Sequence, residues 1–220
     1  MSGTGVLNLA IYLVVTYFVC GIPFGKLVAS RGGHVDIQSV GSGNIGTTNV
    51  ARTVGAKLAG VTLLGDAGKG FLCTLLAPAY AASACGVAPA ELAPGAGCGW
   101  VCALVMLVCV VGHVFSPYLR FHGGKGIATG FGAALGFAWP VALGLLAVFA
   151  AFAAARRIVS LASCAAAVSL PVWAVLIYRP EPPFALIMVA TAALVLWAHR
   201  TNIAKLARGE EQPFSFHHDD

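Results

Sequence analysis

Charge is what this sequence has least of. Only 10% of its 220 residues are Asp, Glu, Lys or Arg, against about a quarter in an ordinary water-soluble domain. So small a stock cannot cover a water-facing surface of this size. With 59% hydrophobic residues and a mean hydropathy of +0.86, the soluble globular class is excluded and a membrane protein is implied. Acidic residues are scarcer still, 8 against 13 basic ones. That excess does not mark a nucleic-acid partner: no basic arm, aromatic platform or zinc spacing accompanies it, and the basic residues fall in short clusters between apolar runs. They report membrane topology instead. No CxxC pair occurs among the cysteines at 20, 73, 85, 98, 102, 109 and 164. Most lie inside apolar runs, where cysteine behaves as a small hydrophobe. Cys85 and Cys98 bracket a loop and could bridge it, but neither a redox role nor a metal-ligand cluster is supported, and no cofactor is called for. The first apolar stretch, Val6 to Ile22, lacks a basic leader and a small-x-small cleavage site, so it reads as a retained span rather than a signal peptide.

A helix crossing the hydrocarbon core needs about 20 apolar residues. Candidate runs cover 5–24, 57–80, 98–118, 126–155, 158–177 and 183–199. The 126–155 run is about 45 Å of helix, too long for one upright crossing and short for two. Charge decides. If the run folds back near Trp139-Pro140, one side receives Lys26, Arg31, Arg52, Lys57, Arg120, Lys125, Arg156, Arg157, Arg200, Lys205 and Arg208, and the other only Arg179. The positive-inside rule prefers that arrangement. The expectation is an all-α integral membrane protein, a single embedded domain over 1–220, with seven transmembrane helices, N-terminus outside and C-terminus cytoplasmic. Three polar segments, 25–56, 119–130 and 199–212, then meet on the cytoplasmic face.

Each of these segments carries chemistry. Gly41-Ser42-Gly43-Asn44-Ile45-Gly46 matches GxGxxG, but a dinucleotide fingerprint needs a strand before it and a βαβ unit around it. What survives is a glycine loop whose backbone can approach an anion, with Arg52 able to grip phosphate oxygens. Equally, it could be a flexible polar loop whose arginine meets lipid headgroups. Gly123-Gly124-Lys125-Gly126 opens a helix, so free N–H groups, the positive dipole end and a cation coincide; an anchoring lysine beside a tight turn is the plainer alternative. His113 near a helix end reads as a structural hydrogen-bonding residue. His199 and Asn202, three apart, share a face of any continuing helix, ahead of Glu210 and Glu211; a frayed basic terminus would look the same. Asp66 and Lys69, inside the second span, read as an internal pair that positions the site.

Taken in order, these motifs resemble the acyl-phosphate-dependent glycerol-3-phosphate acyltransferases, the PlsY family of bacterial membrane enzymes. The match runs from Gly21-Ile22-Pro23-Phe24-Gly25 through Asp36-Ile37, Gly41-Ser42-Gly43-Asn44, Thr48-Asn49, Arg52 and Gly55. It continues with Asp66, Lys69-Gly70, Gly112-His113, Gly123-Gly124-Lys125-Gly126 and Ala128-Thr129, and ends at His199-Arg200 with Asn202-Ile203. The resemblance implies seven helices and a site facing the cytoplasm at the bacterial inner membrane. It implies acyl transfer from acyl phosphate to the 1-hydroxyl of glycerol 3-phosphate, giving lysophosphatidic acid and phosphate, the first step of phospholipid synthesis. By similarity Ser42, Arg52, Lys125, His199 and Asn202 are the catalytic candidates. Gly41, Gly43, Asn44, Gly123, Gly124 and Glu211 are substrate-binding candidates. The partners are the two substrates and membrane lipid, with no metal. The family commonly carries lysine where His122 stands. The HxxxxD pair of other glycerolipid acyltransferases is absent. The competing reading is a transporter of a phosphorylated or anionic metabolite, against which stand the absence of an internal repeat and the clustering of polar motifs on one face.

Overall fold

The computed structural model describes residues 3–95, 97–211 and 213–214. Residue 212 of the third polar segment and both ends of the 1–220 domain lie outside the described residues. The regular elements among the described residues are all helices: α1 Gly3–Gly21, α2 Phe24–Gly33, α3 Thr47–Thr53, α4 Ala56–Cys85, α5 Gly99–Val114, α6 Ile127–Phe137, α7 Trp139–Arg156, α8 Val159–Tyr178, α9 Pro182–Ala198 and α10 Arg200–Ala207, with 3₁₀ turns at Pro89–Glu91 and Pro117–Leu119. Among the described residues, five stretches are long and apolar enough to cross a membrane: Gly3–Gly33, Ala56–Cys85, Gly99–Leu119, Trp139–Arg156 and Val159–Tyr178. The pair α9–α10, bent by 64°, makes a sixth when taken as one.

The seven expected crossings therefore stand as five or six by length, and the reason is local. The long run does break beside Trp139-Pro140, at Ala138 (φ −136°, ψ 51°), with Pro140 in the first turn of α7 where its missing N–H costs nothing. That break leaves α6 only 11 residues, about 16 Å of helix. α6 is instead packed deep against α4. A Cβ on Gly70 would lie 2.2 Å from the Thr129 carbonyl oxygen, and one on Gly132 would lie 1.9 Å from that of Ala67. Two glycines thus let the backbones touch, the device by which helices associate where no water drives them together.

The two ends of the bundle differ. At one end Cys85 and Cys98 are joined by a disulfide that closes the segment between α4 and α5. There the Glu181 N–H donates to the Gly95 carbonyl at 2.9 Å. At the other end lie α2, α3, the 115–126 turn and the α9–α10 bend. Between the ends, Asp66 and Lys69 form the expected pair, at 2.7 Å, and both are buried. The Lys69 ammonium also donates to the Ile22 carbonyl at 2.8 Å and to His113 Nδ1 at 3.0 Å. All three of its protons are thereby used, which is what a cation removed from water requires. The network ties the end of α1 to α4 and α5, and Ser116 reinforces it by donating to the Gly21 carbonyl at 2.6 Å.

Candidate active site

The first polar segment is built around one side chain. Asn49, in the first turn of α3, is buried. Its amide nitrogen lies 3.2, 3.1 and 2.9 Å from the carbonyls of Ile37, Val40 and Asn44, and its Oδ1 accepts the Ser42 N–H at 3.0 Å. The loop closes round it as tightly as glycine allows: Gly41 sits at φ +58°, and a Cβ there would meet Asn49 Oδ1 at 2.2 Å. Asn44 Oδ1 accepts the Gly46 N–H at 2.9 Å and so starts α3. Beneath the loop Ile37, Ile45, Val50, Ala29 and Ala59 form a small apolar core of their own. Ser42 and Arg52 are left exposed on top.

The second segment turns back onto the end of α5. The Gly123 N–H donates to the Val114 carbonyl at 2.9 Å, and the Gly124 N–H donates to that of His113 at 3.1 Å. A side chain on Gly124 would strike the His113 ring. The chain then opens α6 through Gly126 at φ +82°, with Lys125 half-buried beside it. In the third segment the α9–α10 bend falls at His199, which is 2% exposed. Its Nδ1 lies 2.8 Å from the Val195 carbonyl. A carbonyl only accepts, so the proton is on Nδ1 and Nε2 carries a lone pair. Asn202 donates to Glu211 Oε1 at 2.8 Å.

One cavity of about 580 Å³ collects these groups. Ser42, Asn44, Arg52, Lys125, His199, Asn202 and Glu211 all line it. At its other end it is walled by Met106, Val110, Phe131, Leu145, Phe149 and Leu170. Gly41, Gly43, Gly123 and Gly124 do not line it. The N–H groups of Gly43, Gly123 and Gly124 are spent on the carbonyls of Val40, Val114 and His113, so the expected backbone cradle is not made of them. Gly126, Ile127 and Ala128, at the first turn of α6, do line the cavity, and helix geometry leaves the first N–H groups there without intrahelical partners. His122 is exposed, bonded to the Arg120 carbonyl at 2.7 Å.

Burial lowers the Lys125 ammonium from its ordinary range, and the Arg52 and Lys205 charges push the same way against Glu211. Burial alone would raise the Glu211 carboxyl, but the Ser160 hydroxyl, the Asn202 amide and the Lys125 and Lys205 charges together hold it low. His199 is pushed down to about 4, chiefly by burial and further by Lys125. It is therefore a neutral acceptor near pH 7.

A family model described as glycerol-3-phosphate acyltransferase matches residues 10–209. The chain belongs to the glycerol-3-phosphate acyltransferase family. It is 43% identical over 208 residues to the glycerol-3-phosphate acyltransferase of Rubrobacter xylanophilus, covering 94% of this chain and 96% of that one. It is 40% identical to the Caulobacter vibrioides enzyme of the same name, covering 96% and 90%. Among solved structures, a crystal structure of PlsY (YgiH), an integral membrane glycerol 3-phosphate acyltransferase in its glycerol 3-phosphate form, superposes with a TM-score of 0.81 at 30% identity, covering 94% and 96%. Its lysophosphatidic acid form gives 0.79 at 29%, with the same coverage. The chain is thus an integral membrane glycerol-3-phosphate acyltransferase, and the transporter reading falls away.

Three contributions to this acyltransferase's cavity escaped the reading of its sequence. Asn49 organises the first loop without protruding from it. Ser160 and Ser163 line the cavity from the start of α8; their spacing of three after Arg156-Arg157 was the available signal. Phe214 also lines it, with the Arg52 guanidinium 5.8 Å from its ring centroid.

Proposed function

We propose that this acyltransferase takes a fatty acyl group from acyl phosphate and passes it to the 1-hydroxyl of glycerol 3-phosphate, releasing lysophosphatidic acid and inorganic phosphate. One observation carries the reading: a single cavity whose cationic, hydroxyl- and amide-lined end continues into an apolar arm. Both substrates carry phosphate and the donor also carries a hydrocarbon chain, so one space serves all of these groups.

In this reading Arg52, Lys125, Ser42 and the first turn of α6 hold the phosphates. They also stabilise the charge that develops on the leaving phosphate. The glycerol oxygen forms its bond to the acyl carbon, the bond from that carbon to the phosphate oxygen breaks, and the hydroxyl proton passes to phosphate. His199, with its lone pair on Nε2 and its basicity reduced by burial, orients the hydroxyl rather than removing its proton. Asn202 and Glu211 brace the cavity's third wall. An acyl phosphate is already an activated anhydride, so positioning and electrostatics suffice.

We further propose seven crossings, with N-terminus outside, C-terminus cytoplasmic, and the cavity's polar end facing the cytoplasm from the bacterial inner membrane. α6 counts as a crossing: its first turn lines the cavity, while Phe137 at its far end packs 6.1 Å from Phe184 at the start of α9. The basic clusters gather at the cavity end, and the disulfide lies at the other. The test is the purified protein in liposomes with labelled glycerol 3-phosphate and either acyl phosphate or acyl-CoA as donor. Labelled lysophosphatidic acid from acyl phosphate alone is expected; equal product from acyl-CoA would overturn the donor assignment.

A further inference from the structure

Away from the cavity the bundle holds a second cluster that the acyl transfer does not use. Cys20 of α1, Cys73 of α4 and Cys109 of α5 come from three helices, and their sulfur atoms all lie within 4.8 Å of one another. The Cys20–Cys73 pair stands at 3.9 Å. Cys20 and Cys109 are wholly buried and Cys73 nearly so. None of the three lines the cavity.

Packing by itself asks only that small side chains fill space, and any of their atoms can make the contact. Here the atoms that converge are the three ligand atoms. A planar MS₃ unit with metal–sulfur bonds of about 2.3 Å holds its sulfurs about 4.0 Å apart, so the Cys20–Cys73 separation already suits a shared ion and the others need close by less than an ångström. Thr16, one turn before Cys20 on the same face of α1, is fully buried. Its hydroxyl sits beside Cys73 without a partner at full hydrogen-bond geometry, so an oxygen lies next to one of the three sulfurs. Lys69 stands one turn before Cys73 on α4, and an ammonium there favours a group of net negative charge.

We propose that Cys20, Cys73 and Cys109 form a binding site for a thiophilic d¹⁰ cation, Zn²⁺ or its heavier analogue Cd²⁺, which pins α1, α4 and α5 together. Soft thiolates select such ions. Binding converts three thiols and one divalent ion into a tris-thiolate complex of net charge minus one and releases three protons. No electron is transferred. The site is structural, outside the cavity lining and adjoining the Asp66–Lys69–His113 network.

The probe is Cd²⁺, supplied during expression of the full chain, with the protein purified in detergent under reducing conditions and desalted. Replacing Cys85, Cys98, Cys102 and Cys164 by Ala confines the readout to the three thiols. One Cd²⁺ per chain is expected, with the ultraviolet sulfur-to-cadmium charge-transfer band and protection of three thiols from alkylation. Cys20→Ala, Cys73→Ala and Cys109→Ala should each weaken retention at least about tenfold. Each should keep acyltransferase activity, which reports that the protein has folded. If the four-alanine background fails to fold, the same comparison is made between the unaltered chain and the triple variant Cys20→Ala/Cys73→Ala/Cys109→Ala. Substoichiometric metal in the unaltered chain, or metal that persists in the single variants, overturns the site.

Discussion

Two walls of the same cavity are built in opposite ways. The wall from residues 34 to 53 has its own apolar core under it and a buried asparagine that engages four backbone groups. The wall from 199 to 214 has almost nothing of the kind. α10 buries no residue. Beyond it the chain is held by the Asn202–Glu211 hydrogen bond, the exposed Arg208–Glu210 pair and the Phe214 N–H on the Arg157 carbonyl. Apolar burial is what makes local opening costly, and exposed ion pairs contribute little. The first wall is thus a rigid floor, and the second is a lid that opens more readily. Charge is divided between them: Arg52 rises from the floor, while Lys125 sits between floor and lid and is coupled to Glu211.

The largest effects should come from removing those two charges. Arg52→Ala and Lys125→Ala are each expected to lower kcat/KM about 10²- to 10³-fold, the scale found when one group that stabilises developing charge is deleted. Membrane insertion and melting temperature should not change. Steady-state kinetics in liposomes, with both substrates varied, measure this; a variant with normal kinetics removes its residue from the phosphate site. Next comes the floor itself. Asn49→Ala leaves three carbonyls and the Ser42 N–H without the partner they have now. An unsatisfied buried group costs about 1–3 kcal/mol, so melting temperature should fall and KM for glycerol 3-phosphate should rise about tenfold or more. Asn202→Ala, on the lid, should raise KM by a similar factor while leaving melting temperature where it was. Equal thermal losses in the two variants would erase the distinction between floor and lid.

That distinction also marks how far the sequence could be read. Apolar length and basic clusters located the helices and the break beside Trp139-Pro140, and they brought Ser42, Lys125 and His199 towards one end, because hydropathy and charge act residue by residue. The Asp66–Lys69 pair was legible for the same reason, three apart on one helix. What could not be read were contacts made between elements. Gly123 and Gly124 look in sequence like a phosphate loop, yet their N–H groups go to the carbonyls of Val114 and His113. Only the path of α5 decides that. Asn49 resembles any polar residue at a helix start until the loop is folded round it. The 11 residues of α6 look like half of a long span until its glycines are seen against α4.

The smallest effect expected concerns pH, and it bears on the lid. His199 sits at the bend, neutral above about 4, with its proton on Nδ1. Its folded pKa lies below the ordinary histidine value, so no protonation of this ring occurs between pH 5 and 8. The Glu211 carboxyl, also held low, stays ionised across the same window, and its hydrogen bond from Asn202 is lost only as pH falls through that lowered pKa. Neither of these two groups supplies an inflection between pH 5 and 8; the substrates do, since their phosphates have a second ionisation near 6 for a monoester. The expected profile of kcat/KM has that single inflection, and His199→Gln shifts the whole curve down about tenfold without changing its shape, since Gln can still accept from the hydroxyl in poorer geometry. A limb near pH 6.5 that is present in the unaltered enzyme and absent in His199→Gln would make the imidazole the base. It would also mean that the lid opens far enough to let water restore the ring's ordinary basicity.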